Sequence, residues 1–173
     1  MIKVTQAFLP LLGAEEDRST KPGKIVQISS VNGKVGFPFV APYVGSKFAM
    51  EGVSEVMRRE LQLFGIDVIV IGPGAVKTPI WYKGTDDESN QQHLKTPFGD
   101  ALFRFREYFV KAAIETGLEA DEVARSIVAV FEKKKPKTRY AYVANKFRNW
   151  ILPRLLPARR FDKIIGKGLK LIK

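Results

Sequence analysis

Tyr43 and Lys47 stand four residues apart in the stretch PYVGSKFAMEG, and Ser30 follows the apolar run KIVQIS. A phenol, an ammonium and a hydroxyl can together do acid–base chemistry at one oxygen atom. An isolated phenol keeps its proton up to a pH of about 10, too high for proton exchange near neutrality. A nearby ammonium favours the phenolate, and i, i+4 spacing on a helix puts two side chains on one face, a turn apart. A hydroxyl opposite the phenol would orient a carbonyl or carbinol oxygen against it. The Tyr-x-x-x-Lys spacing alone is weak, because it recurs at Tyr142–Lys146. That copy begins in a predicted strand and straddles Asn145, a predicted helix cap, so it is read as coincidence. The first copy has context: Ser30 lies 13 residues before Tyr43, and a Gly-Pro-Gly stretch with Thr78 follows the next apolar run.

Two strands and a helix must position these groups. Ile25, Val26 and Ile28 form a short apolar run that suits a strand at 24–29, buried on both faces. The stretch 31–41 carries Gly33, Gly36 and Pro38 and reads as loop. Pro42 suits a first helical turn, and the helix is expected to run to about Phe64, with Gly65 in the left-handed position behind it. Phe48, Val53, Val56, Met57, Leu61 and Phe64 fall near one face; Gly45, Ser46, Ala49 and Gly52 line another. IDVIVI predicts a second buried strand at 66–71, broken sharply by Gly72-Pro73-Gly74. Polar groups gathered behind two such strands occupy the place where an α/β sheet presents its ligand crevice.

Before this region, residues 1–12 have near-helical apolar spacing, disturbed at Pro10, and 13–23 read as a polar loop. After it, 83–96 are polar. A helix with an aromatic face is expected at 98–116, a helix capped by Asp121 at 122–132, and a third short strand at 139–143. Asn145 is expected to cap a helix broken at Pro153, and Pro157 to open a basic helix reaching about Leu171.

Composition removes several alternatives. The chain has 173 residues, 45% hydrophobic and 27% charged, enough for one domain with a core. It contains no cysteine and one histidine, His93, which excludes disulfides, thiolate metal sites and multi-histidine metal sites. No metal site is expected. The net charge of +11 is unevenly placed: residues 133–173 hold 14 Lys or Arg against the single acid Asp162. Such a tail either adsorbs to an anionic surface or is a solvated helical face. Nucleic-acid binding would rest on charge alone and is not expected.

The stretches VTQAFLPLL, GKIVQISSVNGKVGFP, APYVGSKFAMEG, RRELQLFGIDVIVIGPGAVKTPIW and LEADEVA resemble the classical short-chain dehydrogenase/reductase family, over most of residues 1–132. The resemblance implies a Rossmann-type α/β fold, a parallel sheet flanked by helices, and hydride transfer between NAD or NADP and an alcohol or carbonyl. Tyr43 would be the proton donor or acceptor. Lys47 would favour its phenolate and hydrogen-bond the nicotinamide ribose. Ser30 would hold the substrate oxygen. Pro73, Gly74 and Val76 would contact the nicotinamide, with Thr78 near its carboxamide or the phosphates. Trp81, Tyr82 and the helix from Phe98 would cover a pocket for an apolar, steroid-, retinol- or lipid-like substrate; Phe37, Phe103 and Phe105 suit an apolar substrate and core packing equally well. The basic tail, 145–173, is similar to the steroid and retinol dehydrogenase branch.

The family's glycine-rich pyrophosphate cradle has no counterpart here. The expectation is therefore a single partial Rossmann-type domain over 1–173, with about three strands and its amino-terminal cofactor-binding half missing. Residues 1–12 and 42–64 would form a homo-oligomeric interface, as in the family, the strand at 24–29 would present an unpaired edge, and the chain alone would be marginally stable. Two alternatives stay open: a non-catalytic fragment that keeps the association helices, and a membrane-surface protein using the basic tail. The expected location is cytoplasmic, with peripheral membrane contact through that tail as the variant.

Overall fold

A computed structural model describes residues 1–15, 21–82 and 92–172. In chain order the regular elements are α1 (Ile2–Phe8), β1 (Lys24–Ile28), α2 (Ala41–Glu60), β2 (Asp67–Pro73), β3 (Val76–Lys77), α3 (Gly99–Thr116), β4 (Leu118–Glu119), α4 (Ala120–Glu132), β5 (Arg139–Tyr142), α5 (Leu152–Leu155) and α6 (Ala158–Gly168). They fall into two compact units: Met1–Pro73 with Ala124–Tyr142, and Gly74–Val123 with Val143–Lys173.

The first unit is built on a parallel sheet in the order β1-β2-β5. Ile71 pairs with Ile28 on one side and Tyr140 on the other, and Pro73 pairs with Tyr142. Parallel pairing in this register brings the carboxyl ends of all three strands to one rim. The apolar run of β2 gives it the central place, and Val68–Gly72 are buried. Its side chains alternate between faces. Val68 packs with Met57, Leu61 and Ile66, over which Leu9, Leu12, Val53 and Phe64 close. Ile69 and Ile71 pack with Val130 on the opposite face, flanked by Val26, Ile127, Tyr140 and Tyr142. Ile71 is fully buried, so Ile71→Val should cost about 1 kcal/mol, read as a lower urea midpoint at unchanged slope.

β1 is the expected unpaired edge strand, with β2 as its one partner among the described residues, but it is not buried on both faces: its residues are half-buried and Ile28 is exposed. The second strand does not break at Gly72, which pairs with Ala141 inside β2. The long helix is α2 followed by a 3-10 turn, Leu61–Phe64, closed by Gly65 at φ 70°. Its buried stripe is Glu51, Ser54 and Met57, while Phe48 and Val56 are exposed, as are Ile2, Val4, Phe8 and Leu11 around α1.

In the second unit, β3 and β4 pair in parallel, Val76 with Leu118 and Lys77 with Glu119. Strands of two residues carry too little pattern for sequence to reveal. α3 buries Ala101, Phe105 and Ala113, and Phe105 packs on Phe109 with ring centroids 4.4 Å apart. Phe103 points outward, so the aromatic side of this helix is divided between core and surface. Asp121 does not cap α4; the helix begins at Ala120 and Asp121 lies in its first turn. Asn145 does act as a cap, its Oδ1 accepting from the Arg148 N–H at 3.2 Å. Pro153 breaks nothing, because a π-helical turn, Phe147–Ile151, leads into α5 and leaves the proline in a first turn. Pro157 precedes α6.

Candidate active site

β1 ends at the rim, and the chain turns there through Ser29 and Ser30 into a 3-10 turn, Val31–Gly33. Ser30 is extended, and its Oγ caps that turn by accepting from the Asn32 N–H at 3.1 Å. The same hydroxyl donates to the Pro73 carbonyl at 3.4 Å. Ser30 is therefore held between the ends of β1 and β2, and it is buried.

The first turn of α2 brings Tyr43, and the next brings Lys47. The Lys47 ammonium donates to the Ile28 carbonyl at 3.2 Å and lies 5.7 Å from the centroid of the Tyr43 ring. Lys47 thus ties the helix start to the strand end two residues before Ser30. The phenol is 45% exposed, open to a ligand rather than consumed by the core.

Sequence reasoning missed an ion cluster behind these groups. Glu51, one turn beyond Lys47, is buried, and its two carboxylate oxygens accept from Arg139 Nε at 3.1 and 3.0 Å. Lys34 Nζ stands 3.7 Å from the same carboxylate. The available signal was the i, i+4, i+8 series Tyr43, Lys47, Glu51; Arg139 gave none.

Of the remaining predicted contacts, Pro73 belongs to the first unit and Gly74, Val76 and Thr78 to the second. In that second unit the Trp81 indole donates to the Val76 carbonyl at 2.7 Å. The Tyr82 side chain and residues 83–91 lie outside the described residues. His93 has no metal-binding cluster around it among the described residues.

The sequence pattern described as short chain dehydrogenase matches residues 1–89. That is just over half of the chain, and it includes Ser30, Tyr43, Lys47 and the stretch from Pro73 to Thr78. The chain belongs to the short-chain dehydrogenase family. Within this family it is 36% identical over 169 residues to the NADPH-dependent 3-dehydrocapnine reductase of Ornithobacterium rhinotracheale, covering 98% of this chain and 58% of that protein. It is 30% identical over 153 residues to human 17-beta-hydroxysteroid dehydrogenase type 6, covering 82% of this chain and 45% of the relative. A short-chain dehydrogenase from Streptomyces avermitilis has the same fold, with a TM-score of 0.67 at 22% identity over 98% of this chain and 57% of its own. The chain thus spans about half the length of the relatives it matches.

The second Tyr-x-x-x-Lys copy behaves differently from the first. Tyr142 ends β5, stacks on Tyr140 with ring centroids 6.2 Å apart, and donates to the Ser126 carbonyl at 3.3 Å. Burial first, and then Tyr140, push its phenol above the ordinary 10.0, the wrong direction for a proton shuttle. The raised value makes the folded state hold this proton more tightly than the unfolded one. Its contribution to stability is full below about pH 10 and is lost as the pH climbs through the raised folded value. Tyr142→Phe should therefore flatten the fall of Tm above pH 10 relative to the parent, measured by thermal melts across that range.

Proposed function

We propose that this chain carries the proton-transfer machinery of an NAD(P)-dependent oxidoreductase that interconverts an alcohol and a carbonyl. The observation that carries the reading is the position of the Lys47 ammonium, between the Tyr43 ring and the end of β1 where Ser30 follows. In the reducing direction Tyr43 gives its proton to the carbonyl oxygen, and the Ser30 hydroxyl turns its one proton from the Pro73 carbonyl to the same oxygen. The Lys47 charge stabilises the phenolate left behind. In oxidation the proton returns along the same path.

The residues present fit a nicotinamide ribose. An ammonium has three N–H donors, and the Ile28 carbonyl engages one of them at 3.2 Å. Two remain for ribose hydroxyls. A bound nicotinamide would supply or accept the hydride at the substrate carbon. The name of the 36% identical relative makes NADPH the first cofactor to test. The human relative's name supports an apolar, steroid-like alcohol or ketone. The test is calorimetric titration of the chain with NADPH and NADH, followed by oxidation of the bound cofactor in the presence of apolar ketones. Binding with turnover is the expected result. Absence of both would leave the non-catalytic reading, in which the chain acts by association.

That association is proposed to run through α1 and α2, whose Ile2, Val4, Phe8, Phe48 and Val56 are exposed. Sedimentation velocity should show a self-associated species, and a monodisperse monomer would end the idea. A second reading concerns the tail. Phe147, Leu155 and Ile164 are exposed among Arg148, Arg160, Lys163 and Lys167, a mixture suited to an anionic bilayer surface. No helix among the described residues is long and apolar enough to cross a membrane, so contact would be peripheral. Co-sedimentation with phosphatidylserine vesicles at low salt, lost in pure phosphatidylcholine, is the expected signature.

A further inference from the structure

Glu51 and Arg139 form a buried strut behind the candidate site. Glu51 follows Tyr43 and Lys47 at i+8 and i+4 on α2, so the three side chains rise from one side of that helix. Its carboxylate is 4% exposed and takes both contacts with Arg139 Nε. The far end of the same guanidinium, Nη2, donates to the Ser30 carbonyl at 3.1 Å. One side chain from β5 therefore joins the helix of Tyr43 and Lys47 to the peptide group of Ser30. The backbone makes room for it. A Cβ at Gly72 would collide with the guanidinium, 3.0 Å from Cζ, and would press on the Ser30 carbonyl at 3.1 Å. A Cβ at Gly33 would strike Glu51 Cγ at 2.7 Å. Both glycines are thus explained by the passage of this pair.

We infer that Arg139, braced by Glu51, is a positioning residue for the proton-transfer site. It sets the distance between the Ser30 hydroxyl and the Tyr43–Lys47 helix without touching substrate. The inference rests on the oxidoreductase reading. The Ser30 hydroxyl has its own partners in the Asn32 N–H, within the turn, and the Pro73 carbonyl, at the end of β2, and neither lies on α2. The guanidinium fixes the turn against α2.

The experiment uses the full chain and a Glu51→Met/Arg139→Met double variant. Replacing both members of a buried ion pair with apolar side chains of similar volume leaves stability close to the parent. In that background, amide exchange over residues 28–33 should accelerate about tenfold while β2 keeps its protection. The kcat for ketone reduction should fall about 10²-fold with KM little changed, the expected cost of a displacement of about 1 Å. Arg139→Lys, which keeps a cation for Glu51 but loses the Nη2 donor to the Ser30 carbonyl, should move both readouts the same way and serves if the double variant fails to fold. Parental exchange over 28–33 in a folded variant would overturn the inference, whether or not the parent turns over. Parental kcat in that variant would overturn it as well. An inactive parent would refute the oxidoreductase reading and leave amide exchange to decide the strut.

Discussion

Tyr43→Phe should lower kcat for carbonyl reduction by about 10²–10⁴-fold, the range that a positioned proton donor contributes. KM for the ketone should change little, because the lost interaction is made chiefly in the transition state. The substitution is a clean one. Phenylalanine keeps the ring under the Lys47 ammonium, 5.7 Å from the centroid, and removes only the hydroxyl. The side chain is 45% exposed, so stability should stay within about 0.5 kcal/mol of the parent. Steady-state kinetics beside a thermal melt check both halves of the statement. Ser30→Ala and Lys47→Met are poorer tests. The first removes the cap of the Val31–Gly33 turn and the bond to Pro73; the second removes the tie to Ile28. Either would mix a structural loss with the chemical one.

Glu51→Ala should be the most damaging single change to the fold in the first unit. It leaves the Arg139 guanidinium, 16% exposed as a side chain, without the carboxylate that faces it. Removing one partner of a buried ion pair costs about 3–5 kcal/mol, against a total stability of about 5–15 kcal/mol for a typical domain. Lys34, 3.7 Å from the same carboxylate and partly exposed, loses a partner too but regains water. The expected result is a large drop in urea midpoint, mostly recovered when Arg139 is also replaced by Met. A double-mutant cycle gives the coupling directly. A loss below about 1 kcal/mol would mean that water reaches the pair and that the strut is weak.

The groups proposed to move the proton were legible because they sit on local signals. Tyr43 and Lys47 are one helical turn apart, and Ser30 ends an apolar run; both patterns survive without any knowledge of tertiary structure. Gly65 and Asn145 were legible for the same reason, since cap chemistry depends on the chain within a few residues. The strut was not legible as a pair: Glu51 continues the Tyr43, Lys47 series, but Arg139, 88 residues away, carries no local signal that would join them. For β1 the two signals differ: its own composition is that of a buried strand, while its edge position was expected from the resemblance and not from its own residues. Gly72 was misread as a turn because a glycine beside proline signals one locally. Its actual service is to let a side chain from β5 pass over the strand.

The most direct measurement is deuterium transfer from a labelled nicotinamide to the carbinol carbon of a reduced apolar ketone, in the parent chain and in Tyr43→Phe. Label is expected in the product of the parent, appearing at a rate that falls about 10²-fold or more in the variant. Label appearing equally fast in both would remove Tyr43 from the reaction, and no label in the parent would remove the reaction from this chain.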